Sequence, residues 1–536
     1  MRNPLRWELL VMSLLLTLSG SSGADAQIDE PLEINLANAD LTFLGEEAGD
    51  WAGYSVSPAG DVNNDGYYDV LVGAPMVKVE VKPGKFVAVG AAYLVLGRAR
   101  QEWPASHIDL SQADAEFVGQ PGNADGMNGR QNYTAGDVNG DGYDDFLISG
   151  WKAESGLPQQ GKAYLFLGRS NVDWGMAYPL EQANASFLGE NEGDRAGYYV
   201  STAGDVNGDQ YDDFLITSTY YDISSTQTIT DTGKVYLILG REAADWGHDF
   251  SLADADASFV GEVEGDRLGR SATGVGDVNG DDYDDFLIGS ISNDEGGTDA
   301  GQIYLILGRA REGDPDYDPG RPWWGTDYSV AGADASFVGE AAGDEAGRRV
   351  AAAGDVNEDE YDDFLIGASR YDYVAPDVGK TYLILGKPAA NWGMDRSLAE
   401  ANAAFVGESA NDQAGRRVSG AGDVNGDGYA DFLIGAPHNT RGGDLAGAAY
   451  LMYGRQDAAA WSSNFSLRHA DAVYVGEAEF DAAGYDVASA GDMDGNGFDD
   501  ILIGAYGSRE ETDSPGKAHV VFMGVKRFFL PLVVSD

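Results

Sequence analysis

The sequence predicts an all-β fold, a seven-bladed β-propeller of four-stranded blades, from three observations. An acidic motif of the form Gly-Asp-Val-Asn-Gly-Asp-Gly-Tyr-Asp-Asp, followed by an apolar run, recurs at a period of about 72 residues. Each copy is accompanied by four short apolar segments, and no amphipathic helical pattern is present. Polar stretches rich in Gly join the segments, and the chain has 74 Gly. The first Asp of the seven motifs is Asp61, Asp137, Asp205, Asp277, Asp355, Asp423 and Asp492.

The third repeat illustrates the strands. Its apolar segments are 186–189, 198–203, 214–216 and 234–239, and the acidic motif connects the second segment to the third. Continuous apolar runs of this length between turn residues indicate buried strands. Four-stranded units in a sevenfold array are typical of a β-propeller.

The chain ends predict how the ring closes. Strands of the Phe-x-Gly type precede the seven motifs, at Phe43, Phe117, Phe187, Phe259, Phe337, Phe405 and Tyr474. If each is the outer strand of the preceding blade, the last blade lacks one and the N-terminal segment has one to spare. We therefore expect residues 34–44 to complete the seventh blade beside 519–523, which removes the free sheet edge.

Three regions are expected along the chain: a signal peptide at 1–26, a propeller at 27–524 and an apolar tail at 525–536. The first has Arg2 and Arg6, an apolar stretch at 9–18 and a small-x-small site before Gln27, as secretory signals do. Its apolar stretch is too short for a membrane anchor, and no later segment approaches spanning length. The tail is an extra strand or, as we favour, a surface-sorting segment.

Composition agrees with a secreted or cell-surface protein. The chain has no Cys, so disulfides cannot stabilise it, and bound metal is the natural substitute. The formal net charge of −55 argues against nucleic acid or anionic lipid as a partner.

Each motif places oxygen ligands at alternate positions, as a Ca²⁺ loop does. Positions 1, 3, 5 and 9 carry carboxylates or amides, and the aromatic residue at position 7 offers its backbone carbonyl. Ordinary Asx turns are the alternative for a single copy, but seven matched copies favour calcium. Oxygen ligands without His or Cys exclude typical zinc or copper sites. In the second motif the set is Asp137, Asn139, Asp141, Tyr143 and Asp145.

The other six motifs supply equivalent sets, so the sequence predicts up to seven Ca²⁺ ions. Position 12 lies within an apolar strand, where an EF-hand needs Glu, so each loop belongs to a β-hairpin. The sets are Asp61, Asn63, Asp65, Tyr67, Asp69; Asp205, Asn207, Asp209, Tyr211, Asp213; Asp277, Asn279, Asp281, Tyr283, Asp285; Asp355, Asn357, Asp359, Tyr361, Asp363; Asp423, Asn425, Asp427, Tyr429, Asp431; and Asp492, Asp494, Asn496, Phe498, Asp500.

Position 6 divides the loops into two groups. Four have Gly there, but the third, fourth and fifth have Gln210, Asp282 and Glu360. Those three must turn without glycine's conformational freedom, so we expect strain or weaker metal binding.

The loops between the second and third strands vary most, and they are expected on the face opposite the metal loops, together with the acidic turns. Such loops on a repeated scaffold are a usual place for binding surfaces, although tolerated drift explains them equally well. They are 75–89, 151–160, 218–232, 290–300, 368–378, 437–446 and 505–515.

Two further sets recur with the repeat. The Trp residues that follow the third strands fit packing between blades better than sugar stacking: Trp103, Trp174, Trp246, Trp324, Trp392 and Trp461. A second set is expected to ring the axis, either binding an anion or, as we favour, pairing with acidic turns at residues such as Asp344 or Asp412: Tyr54, Arg130, Tyr198, Arg270, Arg348, Arg416 and Tyr485.

The chain resembles the FG-GAP repeats of integrin α subunits over about residues 31–524. The GAP element stands as Gly73-Ala74-Pro75 and Gly435-Ala436-Pro437. The resemblance implies a seven-bladed propeller with calcium loops of the Asp-x-Asp-x-Asp-Gly-x-x-Asp kind. The family's Phe-Gly is replaced here by pairs such as Ala52-Gly53 and Ala196-Gly197. Since those aromatic residues help to receive the integrin β subunit, their loss argues against such a partner.

These features predict a calcium-binding propeller, outside the cell, that mediates adhesion by binding a protein or glycan. The alternative is an extracellular polymer-degrading hydrolase or lyase. The sequence contains no Ser-His-Asp order and no His-rich cluster, and its five His are scattered. A non-enzymatic role is therefore expected.

Overall fold

The computed structural model describes residues 31–119, 128–153, 157–222, 231–311, 313, 318–320, 323–373, 375–457, 460–461, 463–507 and 514–524. The expected signal peptide and apolar tail lie outside these ranges. The strands form seven five-stranded sheets and one separate hairpin, Lys78–Lys82 with Lys85–Ala88, in the first variable loop. The chain is thus an all-β propeller of seven blades, as predicted.

Four antiparallel strands make up the body of each blade, and blades are numbered here by their metal loops. The inner strands are Ser55–Gly60, Asn132–Gly136, Val200–Gly204, Leu268–Gly276, Arg349–Gly354, Arg417–Gly422 and Asp486–Gly491. The second strands are Asp69–Ala74, Asp145–Gly150, Asp213–Ser218, Asp285–Ser290, Asp363–Ala368, Asp431–Ala436 and Asp500–Ala505.

The remaining strands of the body follow in the same order of blades. The third strands are Ala91–Val95, Lys162–Phe166, Lys234–Ile238, Gln302–Ile306, Lys380–Ile384, Ala448–Met452 and Lys517–Val521. The outer strands are Ala115–Val118, Ala185–Leu188, Ala257–Val260, Ala335–Val338, Ala403–Val406, Ala472–Val475 and Leu41–Leu44.

Every blade also carries a fifth, edge strand that the sequence pattern did not predict. It pairs in parallel with the outer strand and comes from the next blade along the chain, where it precedes that blade's own outer strand. Each blade therefore lends a strand to its predecessor. The edge strands, from the first blade to the seventh, are Gly175–Pro179, Phe250–Ser251, Tyr328–Ser329, Arg396–Ser397, Phe465–Ser466, Leu32–Asn35 and His107–Asp109.

Short 3₁₀ turns join the edge strands to the outer strands. Each of these begins with a buried Leu or Val, which anchors the connection in the core. They are Leu36–Asn38, Leu110–Gln112, Leu180–Gln182, Leu252–Asp254, Val330–Gly332, Leu398–Glu400 and Leu467–His469. Three more, Arg100–Glu102, Ala243–Asp245 and Ala389–Asn391, precede recurring Trp residues. No helix of the described ranges has the length and apolarity needed to cross a bilayer.

Ring closure is confirmed for the outer strand and corrected for the residues before it. Leu41–Leu44 pairs antiparallel with Lys517–Val521 in the seventh blade, with Phe43 opposite Ala518. The preceding strand, Leu32–Asn35, pairs instead with Ala472–Val475 in the sixth blade. The N-terminal segment thus spans two blades, because it follows the same edge-then-outer order as every other repeat.

The hydrophobic core consists of seven clusters, one at each junction between neighbouring blades. The recurring Trp residues belong here, as predicted. The ring of Trp174, for example, lies 5.6 Å from those of Phe117 in the first blade and Phe146 in the second. A cation covers each indole, such as Arg169 with its guanidinium carbon 4.4 Å from the Trp174 ring centre.

The connections lie on two faces, as expected. The metal loops join inner to second strands on one face. On the opposite face the acidic turns contact the variable loops, as where the backbone N–H of Arg195 donates to the carbonyl of Gln159 at 3.0 Å.

Candidate metal centre

The first Asp of each loop organises the turn. In the second loop Asp137 Oδ1 accepts the backbone N–H of Asp141 at 3.1 Å, and its Oδ2 accepts that of Gly142 at 2.8 Å. Asp141 Oδ1 then accepts the N–H of Tyr143 at 3.1 Å. The same three bonds recur in the other six loops. The motif therefore folds identically each time, with positions 1 and 5 side by side.

The Asp at position 9 begins the second strand and is fully buried in all seven blades. Asp145 Oδ2 accepts the N–H of Val138 at 3.1 Å, and Oδ1 accepts that of Gly168 at 2.7 Å. It thereby ties the loop to the end of the third strand. Burial raises the pKa of Asp69, Asp145, Asp363 and Asp500 to about 8, since few charges of opposite sign lie nearby.

Position 3 shows that the residues present suit a cation. The side-chain oxygens Asn63 Oδ1, Asn357 Oδ1 and Asp494 Oδ1 are buried and accept no hydrogen bond. In the seventh loop, carboxylate oxygens of Asp492, Asp494 and Asp500 lie within 4.8 Å of one another. A buried acceptor without a donor costs about 1–3 kcal/mol, so such oxygens need a ligand. A hard cation with oxygen coordination meets that need.

The three loops without Gly at position 6 adopt the left-handed backbone nevertheless. The φ angles are 73° at Gln210, 67° at Asp282 and 73° at Glu360, against 84° at Gly142. Such angles are unfavourable for residues with a Cβ, by about 1–2 kcal/mol. Strain at these positions is therefore present, as expected.

A functional residue missed from the sequence is the Asp at position 8. Its carboxylate accepts the backbone N–H of the first Asp in the metal loop of the preceding blade. Asp212 Oδ2, for example, accepts the N–H of Asp137 at 2.8 Å. Such a clasp joins five neighbouring pairs of metal loops. Ala430 and Tyr68 occupy the position at the other two junctions. The Asp-Asp pair at the start of five of the second strands was the available signal, but only its second member was interpreted as a functional residue.

The FG-GAP repeat family matches residues 52–95, 197–238, 269–306, 414–452 and 483–521. These segments fall on the first, third, fourth, sixth and seventh blades. Each runs from the start of the inner strand to the third strand and contains the metal loop. The second and fifth blades have the same strands and loop hydrogen bonds.

Several animal integrin α chains are similar over part of the chain. Integrin alpha pat-2 of Caenorhabditis briggsae is 31% identical over 170 residues, which is 29% of this chain and 13% of the relative. Integrin alpha-PS2 of Drosophila melanogaster is 32% identical over 165 residues, 29% of this chain and 11% of the relative. The similarity thus covers only a small part of the length of these relatives.

A longer match is to the phosphatidylinositol-glycan-specific phospholipase D of Dictyostelium discoideum. It is 27% identical over 297 residues, 54% of this chain and 29% of that protein. The seven blades, the five matched repeats and the integrin relatives agree with one another. The chain contains FG-GAP repeats in five of its seven blades, and its propeller is similar to that of integrin α subunits.

Proposed function

We propose that the seven loops bind Ca²⁺ and that the ions stabilise the propeller. The observation that carries this is the seventh loop, where three carboxylates converge within 4.8 Å and Asp494 Oδ1 is buried without a donor. Hard oxygen donors in a nine-residue loop favour calcium over softer metals. The ion would be held by residues at positions 1, 3, 5 and 9 and by the carbonyl at position 7. It would neutralise the crowded carboxylates.

Thermal unfolding with and without chelator tests the metal. At a Ca²⁺ concentration 100-fold above the dissociation constant, one site adds about 2.7 kcal/mol of stability. We expect EDTA to lower the melting temperature by about 10 °C or more, and Ca²⁺ to restore it better than Mg²⁺. Unchanged melting in excess EDTA contradicts the proposal.

We further propose that the protein acts outside the cell and binds a protein or glycan through the variable-loop face, in adhesion. Similarity to integrin α chains and the predicted signal peptide support this location. The loop face is the natural binding surface because its connections differ from blade to blade while the strands beneath them repeat. Sequencing the N-terminus of the protein recovered from the culture medium tests export; a start at Gln27 is expected.

Glycan and matrix-protein arrays probed with and without Ca²⁺ test the binding role. Saturable, calcium-dependent capture of one ligand class is expected. The second candidate is a polymer-degrading enzyme, favoured by the match to a phospholipase D over 297 residues. Assays for hydrolysis of phosphatidylinositol-glycan and of polysaccharides decide between the two, since turnover without stable capture supports the enzyme.

A further inference from the structure

The axis of the propeller is lined by two layers of side chains. The upper layer is called the axial ring. It consists of the residues that directly follow the Gly found near the start of the inner strand in every repeat: Tyr54, Arg130, Tyr198, Arg270, Arg348, Arg416 and Tyr485. Neighbours in the ring contact each other. The rings of Tyr54 and Tyr485 are 4.8 Å apart, and the guanidinium carbon of Arg130 lies 5.0 Å from the Tyr198 ring centre.

The lower layer comes from the next residue of each repeat and contains two buried arginines. Arg349, only 4% exposed, crosses the axis from the fifth blade, and its Nη2 lies 3.4 Å from Gln131 Oε1 in the second. Arg349 Nη2 lies 3.7 Å from Asp486 Oδ1, and Arg417 Nε lies 2.9 Å from the same oxygen. The other oxygen of Asp486 accepts the N–H of Val56 at 3.1 Å. One carboxylate therefore serves two guanidinium groups.

Arg349 is left without full compensation. Its Nη1 is buried and has no hydrogen-bond partner. Burial and the nearby Arg417 lower the pKa of Arg349 to about 10. Because a buried guanidinium that shares one carboxylate with a second arginine is only partly compensated, an anion at Nη1 would stabilise it.

The axial ring adds to the positive charge. Arg348 binds Glu345, and Arg416 Nη1 donates to the neutral Gln413 at 2.9 Å. The guanidinium carbon of Arg270 lies 5.4 Å from the Tyr198 ring centre, and no carboxylate of the described residues forms an ion pair with Arg270. Burial and the surrounding arginines lower the pKa of Arg348 to about 10.

The acidic turns do not neutralise this cluster. The residues expected to pair with the ring, Asp344 and Asp412, accept backbone N–H groups of their own turns, from Ala341 at 2.9 Å and Ser409 at 2.8 Å. Among the residues that the structure describes, Glu345 is the one turn carboxylate that forms an ion pair with a ring arginine, and it also binds Arg370 at 2.9 Å. Pairing of the ring with an acidic turn is thus found for Arg348, through Glu345, whereas the two residues named as examples, Asp344 and Asp412, bind their own turns instead.

A cavity lies between the inner strands at the level of the lower layer. It is lined by Arg349, Tyr199, Gln131 and Asp486 of the lower layer and by the residues that follow them on the inner strands, such as Val350. A guanidinium fork matches a carboxylate, sulfate or phosphate group in a bidentate manner.

We propose that the axial cavity is an oxoanion-binding site, in which Arg349 holds a carboxylate, sulfate or phosphate group beneath the positively charged axial ring. This names the chemistry of the ligand proposed for the variable-loop face and rests on that proposed function for its biological role. The site itself needs no metal ion, because its charges are those of arginine. A ligand with an anionic end would thus be drawn to this cluster of arginines in a very acidic protein.

Anion titrations of the calcium-loaded full chain test the site. Sodium succinate and sodium sulfate, which distinguish carboxylate from tetrahedral anions, are compared with sodium chloride at equal ionic strength. We expect a saturable rise in melting temperature with at least one of the two. Arg349→Gln should raise the half-saturating concentration at least tenfold.

Two further variants complete the test. Arg455→Gln is the matched control, since Arg455 pairs with Asp471 at 3.0 Å on the outside of the ring, and it should leave the titration unchanged. If Arg349→Gln does not fold, Arg270→Gln replaces it and should weaken the anion effect at least threefold. Equal responses to all three salts, or wild-type titrations in the Arg349 and Arg270 variants, overturn the proposal.

The outcomes separate this site from the proposed function. Anion binding lost in Arg349→Gln while the calcium-dependent melting is kept supports the site, even if no array ligand is found. An array ligand whose capture is unaffected by Arg349→Gln, together with no anion effect, refutes the site and leaves the binding role standing.

Discussion

The two faces of the propeller differ in whether the same side chains occur at equivalent positions of the seven blades. On the metal-loop face the same residues make the same hydrogen bonds in seven blades, so that Asp137 and Asp423 are interchangeable in their contacts. Where the inner strands begin, toward the variable-loop face, their backbone repeats but their side chains do not: equivalent positions carry Arg349, Asp486 and Tyr199. A contact needed for folding must recur in every blade, whereas a ligand approaching the axis meets all blades at once and each can differ. We infer that stability depends on the first face and recognition on the second.

Replacing one buried Asp on each face should give the largest difference between them. Asp145→Ala leaves the buried N–H group of Gly168 without an acceptor, removes one of the two acceptors of the Val138 N–H and removes a proposed metal ligand, so we expect a loss of about 3 kcal/mol or more. Asp344→Ala removes one acceptor, for Ala341, and should cost about 1 kcal/mol. Urea unfolding in saturating Ca²⁺ measures both. Equal losses would show that the two faces do not differ in this way.

The seam at which the N-terminal strand Leu41–Leu44 closes the seventh blade should respond to pH. His519 is fully buried, with Nδ1 3.1 Å from Thr42 Oγ1 in the closing strand, and its Nε2 has no partner. Burial lowers its pKa from 6.5 to about 4, despite Glu477 at 3.9 Å, while Lys517 and His107 act in the same direction as burial. Between pH 6.5 and 4 the unfolded chain takes up a proton that the folded chain does not.

Stability should therefore fall as the pH drops through that window, by on the order of 3 kcal/mol at pH 4, with no contribution above pH 6.5. His519→Asn should remove this part of the pH dependence, measured as the difference in unfolding free energy between pH 7.5 and 5. His469→Asn is the matched control, because His469 is exposed. If both variants keep the wild-type dependence, the seam is not the sensitive element.

Within the metal-loop face, position 6 offers a smaller and opposite pair of effects. Glu360 has a φ of 73°, so Glu360→Gly should relieve strain and stabilise the protein by about 1 kcal/mol. Gly142 has a φ of 84°, so Gly142→Ala should destabilise the protein by a similar amount. Calorimetry of the two variants in Ca²⁺ tests this, and shifts of the same sign would be contrary to it.

The missing clasp at the junction of the fifth and sixth blades gives the smallest effect. Ala430 stands where other blades have an Asp that accepts the N–H of the preceding loop. Ala430→Asp should add this bond to Asp355 and raise stability by about 1 kcal/mol or less. Asp212→Ala removes the existing bond to Asp137 and should lower the stability by a similar amount. Denaturant midpoints measure both, and a destabilised Ala430→Asp would mean that repulsion between carboxylates outweighs the bond.

The sequence predicted the features that recur in every repeat. Seven motifs, four apolar segments and one spare Phe-x-Gly strand were enough for the blades and for closure through Leu41–Leu44. Edge strands such as Phe250–Ser251 escaped prediction because two residues show no periodicity and their pairing depends on the neighbouring blade. The axial cavity escaped for a related reason: Arg349 and Gln131 are far apart in sequence, and only the closed ring brings them together.

The central claim is that metal ions hold the seven loops, and counting the ions tests it most directly. The full chain, purified without chelator and desalted into metal-free buffer, would be measured by elemental mass spectrometry against protein concentration. The account predicts calcium close to seven ions per chain, with about one fewer in Asp500→Ala, where the three converging carboxylates lose a member. Protein that is folded and contains no bound calcium would contradict it.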